Sequence, residues 1–333
     1  MEQALKIGLL GVGHLGKIHL KCIRAIDQLD LVGFCDPDEE AAQKVVEEYG
    51  LKRFEHPLDL MKAVSIIDIV TPTPSHFELA KQALTLGCHL FIEKPVTEKP
   101  AEAAELLKLS QEKNLKVQVG HVERFNPALL ALGDMPLDPM FIEAHRLALF
   151  NPRGTDVSVV LDLMIHDLDI VLSLVDSEVA FISASGVSVV SDQPDISNAR
   201  LEFANGCVAN LTASRISMKQ MRKLRLFQKD AYISMDFLDK KSQIIRIYDD
   251  ESLPDLPNLP LMPLDTPKGK KHIRIDMPES QPVNAIQMEL EQLVQSIVED
   301  RPPKVGIEAG YRALDLAHRI LGEIDKRQQM YSA

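Results

Sequence analysis

Over the first 120 residues, short apolar runs alternate with segments of helical period. The run Lys6-Ile7-Gly8-Leu9-Leu10 leads into a helical stretch over 17–28, and a second run covers Leu29 to Phe34. Asp38 to Tyr49 carries helical spacing, followed by a β-branched run from Ser65 to Thr71 that stops at Pro72-Thr73-Pro74. Ser75 is placed to cap a helix over Phe77 to Leu86, and Gly87 to end it. His89 to Ile92 predicts a strand ending at Glu93-Lys94-Pro95; Thr97 to Lys113 predicts a helix and Leu115 to Gly120 a strand. Continuous apolar runs, rather than alternating ones, belong to strands buried on both faces, so the pattern predicts a parallel, doubly wound sheet. In such sheets ligands sit beyond the carboxyl ends of the strands, where Pro72 to His76 and Glu93 to Pro95 fall.

Beyond residue 123 the period shortens to two. Phe141 to Leu149, Val179 to Val190, Asn198 to Phe203 and Cys207 to Ile216 read as half-buried strands, as do Lys223 to Gln228, Tyr232 to Phe237, Gln243 to Tyr248 and His272 to Met277. Asn205-Gly206 is a two-residue hairpin signal. A helix is expected around Val157 to Leu174, and amphipathic helices over Val283 to Glu299 and Ile307 to Gln328. Asp250 to Lys271, rich in proline and charge, reads as a long surface loop. The expected architecture is α/β: a Rossmann domain over 1–122, then an α+β domain over 123–333 built on a large, open, mostly antiparallel sheet. The C-terminal helices are free to return to the first domain. The uncovered sheet face is the expected surface for a homodimer or homotetramer.

A chain of 333 residues with formal charge −12 disfavours electrostatic binding to nucleic acid or an anionic membrane. Cys22, Cys35, Cys88 and Cys207 lack metal-site spacing and fit reduced, buried thiols. No apolar run is long enough to span a bilayer and the start lacks a signal-peptide layout, so a cytoplasmic protein is expected.

The chemistry begins at Gly11-Val12-Gly13-His14-Leu15-Gly16, between the first strand and the first helix. Gly11 permits the tight turn, Gly13 lets the backbone approach a pyrophosphate, and Gly16 lets helix and strand pack closely. The helix N-terminus, through His14 and Leu15, offers amides to phosphate. Asp36, after the second strand, is placed for the adenosine ribose hydroxyls and would repel a 2′-phosphate; no basic residue follows within Pro37-Asp38-Glu39-Glu40. NAD is the expected cofactor, over NADP. A glycine-rich turn in another α/β protein, and a solvated turn acid at Asp36, are the structural alternatives.

Three further residues fit hydride transfer from an alcohol. Lys94 lies at the cofactor end of a strand, while Asp162 and His166 lie four apart on one helix face. A histidine suits the hydroxyl proton, an aspartate its orientation, and a lysine the developing charge on oxygen. A core or capping histidine is the alternative for His166. Asp162, Asp167 and Asp169 within one apolar helix weigh against it, since buried acids are costly. Metal ligation by His166 and these acids is a rival, disfavoured by the missing second histidine or cysteine; no metal is expected.

These segments resemble the glucose–fructose oxidoreductase / inositol dehydrogenase / MocA (Gfo/Idh/MocA) family along almost the whole chain. The matching residues are Gly11 to Gly16, Thr71-Pro72-Thr73-Pro74-Ser75-His76, Glu93-Lys94-Pro95, Gly120-His121-Val122-Glu123-Arg124-Phe125-Asn126-Pro127 and Asp162 to Asp169. The resemblance implies a Rossmann domain plus a sheet that mediates dimers or tetramers. It implies that Lys94, Asp162 and His166 are catalytic, with His166 as acid/base, and that Thr71, Pro72, Thr73, His76 and Glu93 belong to the cofactor cleft. Many members carry glycine where this chain has Met164. Glu143 to Leu147 and Asn151 to Val157 are similar to the bacterial branch that oxidises UDP-N-acetylglucosamine for lipid A synthesis. On that likeness Arg124, Arg146 and Arg153 are candidates for a diphosphate, and His121 and Asn126 for sugar or nicotinamide. The alternatives are a free sugar or inositol dehydrogenase, a retaining enzyme using NAD for glycosidic cleavage, and a dinucleotide-binding regulator without chemistry.

Overall fold

The computed structural model describes residues 4–151, 157–250 and 261–332. The chain divides into two compact units, one of Met1–Phe125 with Asn284–Leu316 and one of Asn126–Val283 with Ala317–Ala333. The boundary expected near residue 122 is therefore joined by later crossings at 284 and 317.

In the first unit, β1 (Leu5–Leu10), β2 (Leu29–Cys35), β3 (Ile66–Ile69), β4 (His89–Glu93) and β5 (Val117–Gly120) form a parallel sheet in the order β2-β1-β3-β4-β5. Ile7, Leu9, Ile66, Ile67, Leu90, Phe91 and Ile92 are fully buried, as continuous apolar runs require. The crossovers carry α1 (His14–Arg24), α2 (Glu39–Tyr49), α3 (Pro57–Met61), α4 (His76–Thr85) and α5 (Pro100–Glu112). The Asp38 carboxylate caps α2 through the Ala41 amide, and left-handed Gly50 closes it. Ser75, expected as a cap, makes no capping bond to α4. Its hydroxyl lies 2.6 Å from Thr71 Oγ1 and 2.8 Å from the Pro72 carbonyl, because Thr73–Ser75 winds as a short 3-10 turn.

The second unit opens with α6 (Pro127–Leu130) and β6 (Phe141–Leu147). A π-helical turn at Val160–Met164 leads into α7 (Ile165–Leu174), in place of the uninterrupted α-helix expected. Then come β7 (Val179–Val187), β8 (Ile196–Phe203), β9 (Val208–Ser214), β10 (Met221–Phe227), β11 (Ala231–Asp236), β12 (Lys241–Asp249), β13 (Met262–Thr266) and β14 (Gly269–Asp276). They form one nine-stranded sheet, β13-β14-β12-β11-β10-β6-β9-β8-β7, antiparallel except for β6 beside β9. Alternation decides the faces: Ala199, Leu201, Ala209, Leu211, Leu224 and Ile233 point into the core, while Asn198, Arg200, Asn210 and Arg225 point away. The outward face carries an aromatic row in which Phe227 lies 5.7 Å from Phe141 and 4.9 Å from Tyr232, ring centre to ring centre. Asn205-Gly206 makes the β8–β9 turn, with Gly206 at φ 89° and Asn205 Oδ1 accepting from the Cys207 amide.

The loop expected over Asp250 to Lys271 is corrected from residue 262 onward, where β13 and the start of β14 form an edge hairpin. β13 hides almost nothing from solvent and contains Pro263, which an edge strand tolerates, so it offers no apolar alternation to read. Residues 251–260 lie outside the described part.

α8 (Ala285–Val298) and α9 (Ile307–Ser332) close the chain. From α8, Leu290, Leu293 and Val294 are buried in one cluster with Ile7, Ile23 and Phe91 of the first unit. Three such side chains contribute roughly 5–9 kcal/mol by burial, comparable to a domain's whole net stability. The four cysteines are free and buried. Among the described residues no helix is long and apolar enough to cross a membrane.

Candidate functional site

In the first unit, the carboxyl end of β1 turns at Gly11 with φ 92°, where a Cβ would lie 2.8 Å from the Val70 carbonyl oxygen. A Cβ on Gly16 would lie 2.1 Å from the Gly11 carbonyl oxygen, so α1 runs against the turn at a distance only glycine allows. A Cβ on Gly13 would meet nothing within 4 Å, because this glycine faces open space. Gly13 is the N-cap of α1 and no side chain caps the helix, leaving its first-turn amides, beside exposed His14 and Leu15, without a side-chain acceptor. Asp36 Oδ2 accepts from the Val12 amide at 2.6 Å and Oδ1 from the Asp38 amide at 2.8 Å, so this carboxylate also braces the glycine loop. A basic group that the local sequence concealed stands next to it. Arg53 pairs alongside Phe34 and donates to the Asp36 carbonyl at 3.3 Å and to Glu39 at 2.6 Å.

At the ends of β3 and β4, Thr71, Pro72 and Thr73 form a turn tied to the segment after β4 by His76. The His76 ring is 1% exposed, with Nδ1 3.0 Å from the Pro95 carbonyl and Nε2 2.8 Å from the Thr71 carbonyl. Burial pushes this imidazole below its usual range against the pull of the two carbonyls. His76, expected in the cofactor cleft, ties the two loops together through these ring contacts. Lys94 follows as a half-buried residue joined to Pro95 by a cis peptide bond. The carboxylate of Glu93, also expected in the cofactor cleft, turns inward. Oε1 lies 3.1 Å from His19 Nε2, and Oε2 accepts from the Lys94 amide at 3.1 Å. His19 Nδ1 lies 2.9 Å from Asp68 Oδ2, so one buried ring is held between two carboxylates. Neither His19 nor Asp68 was singled out from the sequence. The available signals were a polar residue on the apolar face of α1 and an acid inside the run Ile66-Ile67-Asp68-Ile69.

In the second unit, Asp162 and His166 are both half-buried, whereas Met164, Ile165, Asp167, Leu168 and Asp169 are buried. The π-turn keeps Asp162 and His166 on the more open side, and π-turns inside helices recur at functional positions. Asp167 turns the other way and accepts from Arg146 Nε at 3.1 and 3.0 Å and from Nη2 at 2.7 Å. Arg146, expected at a substrate diphosphate, is 2% exposed and pairs with this carboxylate. The strand alternation that leaves His145 half-buried on the outward face turns Arg146 inward.

Asn126, also considered for ligand contact, caps α6 through the Ala128 amide and donates to the Phe237 carbonyl at 3.0 Å. His121 is 1% exposed at the end of β5. Arg124 stays half-buried beside Lys304, whose ammonium lies 4.9 Å from the Phe125 ring centre. Burial, then the Arg124 charge, lowers the Lys304 pKa. Arg153 lies outside the described residues. Among those described, no cluster of histidine, cysteine and acids is arranged to hold a metal.

Residues 5–121 match the model of an oxidoreductase family with an NAD-binding Rossmann fold, and residues 144–233 match the GFO/IDH/MocA C-terminal domain. The chain is 36% identical over 317 residues to UDP-N-acetylglucosamine 3-dehydrogenase of Acidithiobacillus ferrooxidans, covering 95% of this chain and 96% of that protein. The chain belongs to the Gfo/Idh/MocA oxidoreductase family. A solved structure of the Acidithiobacillus ferrooxidans enzyme aligns with TM-score 0.86 at 33% identity, covering 97% of this chain and 98% of that one. The scyllo-inositol 2-dehydrogenase (NAD(+)) of Bacillus subtilis is 27% identical over 65% of this chain and 69% of its own. The apo scyllo-inositol dehydrogenase of Lactobacillus casei shares the fold, with TM-score 0.77 at 20% identity over 98% of each chain.

As a Gfo/Idh/MocA member the protein takes NAD, and its residues fit that dinucleotide. The open Gly13 and the uncapped start of α1 suit a pyrophosphate. Asp36 retains lone pairs for ribose hydroxyls beyond the two amides it already accepts.

Proposed function

We propose that the protein is an NAD-dependent dehydrogenase that oxidises a secondary hydroxyl of a nucleotide-linked sugar, at C3 of UDP-N-acetylglucosamine. What carries this reading is the 36% identity across 95% of the chain to an enzyme of that name. His166 takes the hydroxyl proton, Lys94 holds the oxygen as charge develops on it, and Asp162 orients the imidazole. NAD, when bound, supplies the hydride acceptor. Arg124 offers a fork-shaped donor set for the diphosphate, and Lys304 adds a second cation beside it. The reaction belongs in the cytoplasm, in the supply of lipid A precursors. The outward face of the nine-stranded sheet, with Phe141, Phe227 and Tyr232 in a row, is the surface on which copies associate.

The test is formation of reduced cofactor from NAD and UDP-N-acetylglucosamine, with an aminotransferase coupled to draw off the keto sugar. His166→Ala and Lys94→Ala should each retain NAD binding and lose roughly 10²–10⁴-fold in kcat. Turnover of scyllo-inositol with none of the UDP-sugar would favour a polyol dehydrogenase, the second reading that the Bacillus subtilis relative supports. Wild-type turnover in the His166 variant would remove this residue from the mechanism.

A further inference from the structure

We propose that His19 is a positioning residue for Lys94, acting through the Glu93 carboxylate. The inference rests on the proposed function, in which Lys94 meets the reacting oxygen. His19 occupies a fully buried position on α1 where helical period calls for an apolar residue. Its Nδ1 meets Asp68 at 2.9 Å and its Nε2 meets Glu93 at 3.1 Å, with the ring edge-on to Phe91 at 5.3 Å. Carboxylate oxygens accept, so a ring serving both side chains donates from both nitrogens and carries a positive charge. Burial opposes that charge, but Asp68 and Glu93 outweigh burial and hold the imidazole well above its usual range.

Such a group is costly to bury unless every partner is in place, and packing alone gives no reason for it. The geometry gives one. Glu93 is clamped on three sides: by His19, by the Lys94 amide on Oε2, and by Gly120, where a Cβ would lie 2.8 Å from Oε1. Gly120 thus makes room for the carboxylate, and the carboxylate fixes the peptide from which the Lys94 side chain springs. Asp68, in the middle of β3, anchors the far side of the ring. The chain of contacts runs from the sheet interior to the backbone of Lys94, and all of it lies in the first unit.

Two substitutions separate the links. His19→Asn sets an amide near the Nδ1 position, keeping Asp68 and losing Glu93; His19→Gln reaches the Nε2 position, keeping Glu93 and losing Asp68. H19N should lower kcat roughly ten- to a hundredfold, the size of effect that small misplacement of a reacting group produces. The KM values for NAD and sugar should stay within about threefold, and H19Q should restore most of the turnover. E93Q should reproduce the H19N loss, and H19N/E93Q should fall no further than either single variant. An independent readout is the NMR resonance of ¹³C-methylated Lys94, identified by its disappearance in Lys94→Arg. It should shift in H19N and return in H19Q. Wild-type turnover with an unmoved Lys94 resonance in H19N would overturn the proposal, as would H19N and H19Q losing kcat equally and in step with Tm. Absence of turnover on any UDP-sugar by the wild type would instead count against the substrate reading, and the resonance would still test the His19 link.

Discussion

Replacing Arg146 with methionine separates a structural arginine from a substrate-binding one. The guanidinium and the Asp167 carboxylate make three contacts between 2.7 and 3.1 Å, with side chains 3% and 5% exposed. Arg146→Met leaves the carboxylate buried opposite a thioether. Removing one partner of such a buried pair costs about 3–5 kcal/mol. Replacing both, Arg146→Met with Asp167→Leu, removes the desolvation penalty along with the attraction, and such exchanges are neutral or stabilising by about 1–4 kcal/mol. Urea unfolding of the single and double variants, followed by a probe in the second unit, measures the difference. The single variant should unfold at markedly lower urea and the double should recover to wild type or beyond. A single variant within about 1 kcal/mol of wild type, or a double no better than the single, would refute the reasoning. If Arg146 gripped a diphosphate, the double variant would instead show a raised KM for the nucleotide sugar at full stability.

Two further outcomes follow from local geometry. Asp195 accepts from the amides of Val189, Val190 and Ser191 at 2.7, 2.7 and 3.1 Å and from the Ser191 hydroxyl at 2.8 Å. Burial pushes its carboxyl up, but these donors outweigh it and hold it at about 2. A depressed folded-state pKa stabilises above the unfolded-state value, near 4, and that contribution fades as pH falls toward 2. Asp195→Asn should therefore cost roughly 2 kcal/mol at neutral pH and progressively less below pH ~4, measured by thermal unfolding across that range; a pH-independent cost would contradict it. The glycine loop offers a contrast. Gly16→Ala drives a methyl to 2.1 Å from the Gly11 carbonyl oxygen, whereas Gly13→Ala meets nothing within 4 Å. Thermal shift with and without NAD should show Gly16→Ala losing about 1–3 kcal/mol and cofactor affinity together, and Gly13→Ala keeping its Tm while losing the NAD-induced rise.

The β1–α1–β2 unit was legible because Gly11 and Gly16 each answer a backbone demand that no other residue meets, while Gly13 leaves open space at the helix start. The open antiparallel sheet was legible because residues such as Ala199, Leu201 and Leu211 keep strict alternation. What escaped depended on partners distant in the chain. Period two already placed Arg146 on the face of Ile142 and Ala144, yet only the fold shows that Asp167 awaits it there. Arg53 reaches Asp36 across a bridge invisible in the residues following Asp36, and His76 spends both ring nitrogens on carbonyls far apart in sequence. The β13 strand failed for another reason: an exposed edge needs no apolar pattern, so none is written.

The discontinuous first unit sets a timetable on the ribosome. Its hydrophobic centre needs Leu290, Leu293 and Val294, and these emerge only after the intervening stretch from Asn126 to Val283 has been made. At translation speeds of about 5–20 residues per second, the nascent dinucleotide-binding sheet waits roughly 10–30 s before α8 begins to arrive. During that interval Ile7, Ile23 and Phe91 lack their cover, so a chaperone has its natural window on this polypeptide while the second unit is still being synthesised.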